Sequence, residues 1–453
     1  GENGARWSVR AQNDSALPAI LASPSRFALS PIIELTVCGS NWSILVVRLP
    51  NTSVPPVIFP DSQSHQRDLN RPHHSPAAIP VIQRAFLIGL ALALPGCSDS
   101  ESPPFRINLE GRHPAEVSQT QRDAITDTMT EFFGTPDEPT LPDGTGLNLE
   151  LIKMAAGPVA GNADGTQQGL FRQHCATCHG ITGDGAGALA TTFDPYPRDY
   201  RRGTFKYTTT RADAKPLRSD LERTLLRGIP GTGMPSFAEL PSEQLDALVE
   251  YVIYLSLRGE TEQYLIQLVV DEGEYLPLGA DAKEMILEDA TLWVAEQWAE
   301  VEQNPDEYVV AVPPRPTYDS DSELAESIAR GKELYSSKDA QCVQCHGPDG
   351  AGDGEDDEIY DDWNKPKKGV TPEQTAKLAR LYTLPIQKLR ARDFREGAFR
   401  GGGSPEDLYR RVHIGIKGTP MPAAGPQPGA KGIFTPDDVW DVINYILSLS
   451  GEE

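Results

Sequence analysis

The sequence predicts a mainly α protein with two tandem helical domains, a helical N-terminal extension and a helical segment between the domains. Two observations carry this prediction. A C-x-x-C-H motif occurs at 175–179 and again at 342–346, and apolar residues recur at helical spacing before and after each copy. The length of 453 residues allows about three domain-sized units. The 40 Gly and 39 Pro favour loops between short elements.

Each motif places two thiols and an imidazole on about one turn of chain. This spacing is typical of covalent c-type haem attachment, because each thiol can add to one haem vinyl group. The adjacent histidine is then a proximal iron ligand. The predicted attachment residues are Cys175, Cys178, Cys342 and Cys345, and the predicted iron ligands are His179 and His346. A thioredoxin-like dithiol or half of a zinc site has similar spacing, but the duplication and the lack of further Cys pairs favour haem.

A Met-Pro pair follows each motif, inside the similar segments 228–235 and 415–422. We predict Met234 and Met421 as the second axial ligands, because a His/Met pair raises the reduction potential of haem iron. Core packing is the alternative for any methionine. The chain has only five, however, and these two occupy equivalent positions of a repeat.

A third repeated element supports duplication of a whole domain. Residues 198–205 align with 392–399, and both segments precede their Met-Pro loop. Their aromatic residues are expected to line a haem pocket. One of their arginines would pair with a haem propionate through its planar guanidinium, or each is an ordinary surface residue; the sequence leaves both open.

With these motifs, the segments at roughly 160–260 and 322–450 resemble class I cytochrome c domains, and the chain resembles the di-haem cytochromes c. The resemblance implies two covalently bound c-type haems and export, because such haem is attached on the far side of the membrane. It also implies single-electron transfer between redox proteins. Expected partners are a quinol-oxidising complex, a haem-copper oxidase or a small carrier.

The predicted organisation follows the motifs. Residues 98–160 form a tether and an N-terminal extension, 161–260 the first cytochrome c domain, 261–321 a helical linker and 322–453 the second domain. Helices are predicted at 118–133, 163–174, 241–257, 282–301, 322–335 and 435–449. The resemblance implies that the first helix of each domain crosses its last, at Gly169 and Phe171 in the first domain and at Gly331 in the second. His174 is expected at the surface, and His413 is expected to be structural.

The first 97 residues differ from the rest. Residues 1–80 have no sustained period and are predicted to be disordered or an over-extended gene start, with no role for Cys38. The segment 81–97 has a basic start, a short apolar run and a small residue before Cys97, as in a secretory signal that ends in a lipoprotein box. We therefore expect a lipid anchor at Cys97 and a location on the periplasmic side of a bacterial membrane.

Charge constrains the partners. The net charge is −24, while residues 1–96 hold seven Lys and Arg against five Asp and Glu. The acidic excess therefore lies in the remainder, which argues against nucleic-acid binding and favours a partner with a basic docking surface. The insert at 353–368 lengthens the spacing from His346 to Met421, and its first half is strongly acidic.

Other functions stay open at this stage. A di-haem peroxidase also has two such motifs, with one haem open to peroxide. Thiosulfate-oxidising di-haem enzymes use a cysteine as an iron ligand, and neither domain has a spare one. A fixed cytochrome subunit of a larger respiratory complex would share the same chemistry. A matched Met in both domains favours a carrier over an enzyme. The tryptophans Trp293 and Trp298 either touch a haem edge or, the favoured interpretation, pack between domains.

Overall fold

The computed structural model describes residues 102–109, 112, 116–274, 276–381 and 384–451. All of them belong to one compact unit. The predictions for 1–80, for the signal at 81–97 and for Cys38 and Cys97 lie outside the described residues. Within them the fold is helical, with isolated β-bridges and no strand. No helix in these ranges is long and apolar enough to cross a bilayer.

The N-terminal extension contributes two helices, α1 (Gln119–Phe133) and α2 (Leu149–Ala155). Ser118 caps α1 in a capping box with Gln121, which satisfies backbone donors at the helix start. This helix matches the predicted 118–133. Its buried face includes Phe133, whose carbonyl accepts a hydrogen bond from the hydroxyl of Tyr254 in the first domain. The extension thus packs on the first domain.

The first domain contains four α-helices: α3 (Leu170–His174), α4 (Ala176–His179), α5 (Arg218–Arg227) and α6 (Ser242–Ile266). The predicted helix at 163–174 is wrong in extent, since α3 begins only at Leu170. Asn162 and Asp164 bond to nearby backbone and to Thr166 instead, and such local bonds compete with helix formation. Gly169 adopts a φ of +65° and ends this irregular stretch.

Gly169 is also not the predicted crossing residue. A Cβ at that position would meet the backbone of Pro158 rather than α6. The neighbouring prediction for Phe171 holds, because its ring packs against Tyr251 of α6 with centroids 4.9 Å apart. The contact between α3 and α6 is therefore aromatic, without a glycine at the crossing.

The segment between the domains extends the first domain. Helix α6 runs past the predicted residue 257 to Ile266 and continues into a π-helical turn at Gln267–Asp271. Then come α7 (Ala280–Ile286), a π-helical stretch at Leu287–Leu292, α8 (Trp293–Gln303) and the short α9 (Pro305–Tyr308). The predicted segment 282–301 is thus helical throughout, but its middle part adopts a π-helical rather than an α-helical pattern. Its buried face packs on α6.

The second domain comprises α10 (Asp321–Tyr335), α11 (Cys342–His346), α12 (Pro372–Leu381), α13 (Pro405–Ile414) and α14 (Pro436–Ser450). The predicted helices at 322–335 and 435–449 match α10 and α14 within a residue. Here the glycine prediction is right, because a Cβ at Gly331 would lie 1.9 Å from the carbonyl oxygen of Asp441 in α14. Only a glycine permits this approach.

The two domains contact each other through several polar groups. Lys206 of the first domain and Asp361 of the second form a buried ion pair with an N···O distance of 2.5 Å. The Gln387 side-chain amide donates to the carbonyl of Phe193 and accepts from the backbone N–H of Tyr196. These contacts fix the two motif-bearing segments in one arrangement.

Candidate haem sites

The first motif is split between two short helices. Cys175 separates α3 from α4, and its carbonyl accepts hydrogen bonds from the N–H groups of Cys178 and His179, at 3.1 and 2.8 Å. This single turn places both thiols and the imidazole on one stretch of cavity wall. Cys175 and Cys178 are not joined by a disulfide.

The ring of His179 is held in a defined orientation. Its Nδ1 lies 3.0 Å from the carbonyl oxygen of Arg198, and the ring stacks on Tyr200 with centroids 4.5 Å apart. Burial lowers the pKa of His179 to about 4, so the imidazole is neutral. A neutral ring with Nδ1–H bonded to a carbonyl leaves Nε2 as the ligand atom.

Met234 lies on a loop shaped by hydrogen bonds. The N–H of Ile229 donates to the Met234 carbonyl at 3.0 Å, and Thr232 Oγ1 accepts from the Met234 N–H at 3.2 Å. The loop brings Met234 to the cavity that His179, Cys175 and Cys178 also line. About 1240 Å³ of this cavity is free of protein atoms, including space open to solvent. All four predicted residues of the first site therefore meet at one largely apolar cavity.

The second motif repeats these local contacts. In α11, His346 Nδ1 lies 3.3 Å from the carbonyl oxygen of Arg392, and its ring stacks on Phe394 at 4.5 Å. Burial again lowers the pKa of His346. The N–H of Met421 donates to Thr419 Oγ1 at 3.2 Å, as Met234 does to Thr232. The predicted attachment residues Cys342 and Cys345 carry free thiols.

Met421 borders a cavity between the two domains, with about 1020 Å³ free of protein atoms, again including open space. Its walls come from the Met421 loop, from 202–205 and 212–216 of the first domain, and from Gln297 of α8. The structure therefore places first-domain residues beside the second Met loop. That His346 and Met421 act on one iron stays a prediction from the repeat.

The chemistry of the thiols argues against the two alternative sites. Burial raises the pKa of Cys175 to about 12 and that of Cys342 to about 11, whereas a reactive dithiol needs a depressed thiol pKa. Among the residues that the structure describes, no cluster of three or more His, Cys, Asp or Glu could hold a metal ion. A zinc site therefore lacks its remaining ligands there.

Arg198 is the site residue that sequence reasoning left undecided. Its guanidinium borders the first cavity, and both terminal nitrogens are buried with no hydrogen-bond partner. Desolvation by burial lowers its pKa. A buried cation without a partner is costly, so the cavity fits a group that brings an anion as well as a metal. Haem has carboxylates on one edge, and the residues present fit it.

The remaining histidines and tryptophans that the sequence singled out lie around the first cavity or away from it. His174 is exposed on the cavity rim, beside the ring of Phe237. His413 stacks on Tyr409 in α13. Trp298 is buried edge-to-face against Phe205, which itself lines the first cavity, and Trp293 is exposed. Trp298 is therefore a packing residue behind the cavity wall of the first domain. The packing prediction is wrong for Trp293, which is exposed.

Comparison with known proteins gives one family. A sequence model of the cytochrome c family matches residues 167–256 and 328–450. No curated protein sequence matches the chain. Among solved structures, a chain of the reducing HAO-like protein complex from Kuenenia stuttgartiensis is similar at 24% identity, over 64% of this chain and 98% of that chain, with a TM-score of 0.42. A likeness of that strength carries no functional argument. The predicted fold class, mainly α with two tandem cytochrome c domains, is confirmed.

Proposed function

From two cytochrome c domains in one chain, we propose that this protein transfers single electrons and holds covalent c-type haem at both motifs. The observation that carries the proposal is the first cavity, where two thiols, a neutral imidazole and a methionine meet. When bound, haem supplies a one-electron couple between ferric and ferrous iron. The remaining chemistry is the work of the chain, which ligates, orients and excludes water.

In the first site each residue has a separate role. Cys175 and Cys178 would form the two thioether bonds. His179 would ligate through Nε2, since its Nδ1 is engaged by the Arg198 carbonyl. Met234 would supply the second iron ligand from the chain, and a neutral thioether would favour the ferrous state. An iron held by both His179 and Met234 would have no position left for a substrate, which favours a carrier over an enzyme.

The second site would use Cys342, Cys345, His346 and Met421 in the same roles. The repeated carbonyl contact to His346 and the repeated threonine contact at Met421 support this. A chain with two such sites can accept an electron at one and release it at the other.

The test is the optical spectrum of the purified holoprotein, with a pyridine haemochrome assay for the number of haems. We expect two haems per chain and no carbon monoxide binding by the reduced protein. Met234→Ala should open the first site to carbon monoxide, while Met285→Ala should not, because Met285 only packs against the core of the first domain. Carbon monoxide binding by the unaltered protein would refute closed His/Met ligation and would favour the alternative function, a di-haem peroxidase.

Partner choice follows from charge. The net charge of −24 and the exposed acidic run at 355–358 support docking to a redox protein with a basic surface. Electron exchange with a basic small cytochrome should slow as salt rises, because exposed charges are screened. A rate that does not change between low and physiological salt would refute this partner class.

We also propose export and a lipid anchor at Cys97. The support is the sequence pattern at 81–97. Mass spectrometry of the mature N-terminus from a bacterial host tests it, with Cys97→Ala as the control that should release the protein from membranes. An unmodified Cys97, or a mature chain that begins elsewhere, would refute the anchor.

A further inference from the structure

Each of the two sites has an arginine at the same position of the repeat, but the two arginines have different hydrogen-bond partners. Arg198 and Arg392 occupy equivalent places in the repeat, and each offers its carbonyl to the histidine of its own motif. Each guanidinium also reaches the Met loop of the other domain. A Cβ at Gly418 would lie 3.4 Å from Arg198 Nη1, and one at Gly231 would lie 3.2 Å from Arg392 Nη1.

In the second domain the arginine is already neutralised. Arg392 Nη2 donates to the carboxylate of Glu396, four residues later, and Nε donates to the carbonyl of Ala398 at 2.6 Å. The Glu396 side chain is 59% exposed and the Arg392 side chain 21%. The positive charge at this site therefore has a carboxylate partner from the chain and contact with water.

In the first domain the same position lacks that partner. Burial lowers the pKa of Arg198, while Asp361, Tyr207 and Asp199 oppose that shift. The residue four places after Arg198 is Arg202, a like charge that acts in the same direction as burial. The carboxylate of Asp199 is taken by Arg201 at 2.8 Å. The two terminal nitrogens of Arg198 are therefore left buried and without a hydrogen-bond partner, at the cavity that holds His179 and Met234.

We propose that this difference, Arg202 against Glu396, distinguishes the two sites: the first has the higher reduction potential, because Arg198 remains available to a haem carboxylate and Arg392 does not. The proposal rests on the proposed function. A buried positive charge beside the iron favours the less positive ferrous state, and a haem carboxylate left without a cation favours the ferric state. Electrons then collect at the first site.

Burial acts in the same direction. His179 is 8% exposed, whereas His346 is half-buried. A drier site favours the iron state of lower charge. We expect the two sites to differ by at least about tenfold in their affinity for an electron, which corresponds to about 59 mV for a one-electron couple.

The experiment is a spectroelectrochemical titration of the full-length holoprotein, which should resolve two midpoint potentials. Each midpoint potential corresponds to one reduction step in the titration. The step that disappears or shifts strongly in Met234→Ala belongs to the first site. Arg198→Gln should lower the higher midpoint potential by the equivalent of about tenfold in the equilibrium. It should lower the other potential by less, because Arg198 reaches only the edge of the Met421 loop at Gly418. Arg198→Lys, which keeps the charge, should restore most of the difference.

A second pair of variants avoids any folding defect at Arg198. Arg202→Glu gives the first domain the acidic partner found in the second, and should lower the higher step. Glu396→Arg gives the second domain the pattern of the first, and should raise the lower step by a smaller amount, because Glu396 is exposed. The double variant should bring the two potentials together. Arg395→Gln, an exposed arginine paired with Asp393, is the control and should move neither step.

The outcomes separate this inference from the proposed function. If both haems are six-coordinate and closed to carbon monoxide, but Arg198→Gln and Arg202→Glu leave the higher step unchanged, the charge assignment is wrong and the carrier function stands. The charge assignment is also wrong, and the carrier function again stands, if the first site has the lower midpoint potential. If the chain binds no haem at its first motif, both proposals fail.

Discussion

Tyr207 of the first domain lies against Gly401 of the second, and each of these residues lies two positions after its copy of the repeated segment 198–205/392–399. A Cβ at Gly401 would lie 2.4 Å from Cγ of Tyr207. Equivalent positions of a repeat meet each other only where the two copies are related by a local twofold rotation. The contacts of Arg198 with Gly418 and of Arg392 with Gly231 obey the same rotation. The domains thus associate much as a symmetric dimer does, within one chain.

This relationship predicts that a side chain at Gly401 will separate the domains. Gly401→Val should collide with the Tyr207 ring and also strain the backbone, since φ is +80°. We expect a loss of about 1–2 kcal/mol from backbone strain alone, with further loss from the displaced interface. Small-angle scattering should show a larger radius of gyration.

Gly429→Val is the matched control. Its φ is +75° and nothing lies within 4 Å of the added Cβ, so it has the strain without the collision. An unchanged radius for both variants would contradict the twofold contact.

The elements that the sequence predicted well depend on local chemistry. Helix α14 begins after Thr435, whose hydroxyl accepts from the N–H of Asp438 in a capping box, and such caps are visible in the residue order. Both C-x-x-C-H turns and both Met loops were located by spacing alone. The resemblance to class I cytochrome c domains, together with the position of Gly331 on the helix that leads to the second motif, predicts it as a crossing residue.

The predictions that were wrong or undecided concern residues whose conformation is set by competing local hydrogen bonds or by contacts far apart in sequence. The first half of the predicted helix at 163–174 is not helical, because the side chains of Asn162 and Asp164 accept local hydrogen bonds. A helical period in the sequence does not reveal such bonds. The guanidinium of Arg198 reaches Gly418, more than 200 positions away, and its proposed role depends on the charge of residue 202, which the spacing of the repeat does not reveal. Spacing arguments could show that an arginine is repeated, but not which copy is left without a partner.

The helix crossing in the second domain gives a second prediction. Gly331→Ala should destabilise that domain, because the new methyl would lie 1.9 Å from the carbonyl oxygen of Asp441. Overpacking of this kind costs about 1–3 kcal/mol, which exceeds the helix-propensity gain of about 1 kcal/mol from replacing Gly. Urea unfolding followed by the second-domain haem signal measures the change.

Gly279→Ala serves as the control for that variant, since nothing lies within 4 Å of its added Cβ. Its free energy of unfolding should stay within about 0.5 kcal/mol of the parent. Equal stability for the two variants would show that α10 and α14 tolerate a wider crossing.

The buried pair between the domains gives a third prediction. Asp361→Asn should destabilise the protein by about 3–5 kcal/mol at pH 7, because it leaves the Lys206 ammonium buried without its carboxylate. Burial lowers the pKa of Lys206 to about 8, so the lysine is largely neutral at pH 9 and the loss should be smaller there. The double variant Lys206→Met, Asp361→Leu should be close to the parent. A loss of the same size in the double variant would mean that the pair is needed for more than charge balance.

Lys417 gives a prediction about pH. Its ammonium donates to the Ala214 carbonyl at 2.6 Å, and burial lowers its pKa to about 8, with Asp220 and Asp213 opposing that shift and Lys215 adding to it. The unfolded chain, with an ordinary lysine pKa of about 10.4, therefore binds a proton between pH 8 and 10 that the folded chain does not. The free energy of unfolding should accordingly rise with pH through this window.

Lys417→Met should reduce that slope by at most about 1.4 kcal/mol per pH unit between pH 8 and 9.5. Urea titrations at half-unit steps, kept below the tyrosine range, measure it. Lys388→Met is the control: its hydrogen bond with Asp357 raises the pKa of Lys388, so that group stays protonated in both states below pH 9.5 and its loss should not alter the slope. A parent slope that is flat between pH 8 and 9.5 would mean that Lys417 keeps its proton inside the folded protein, held there by the aspartates across the domain interface.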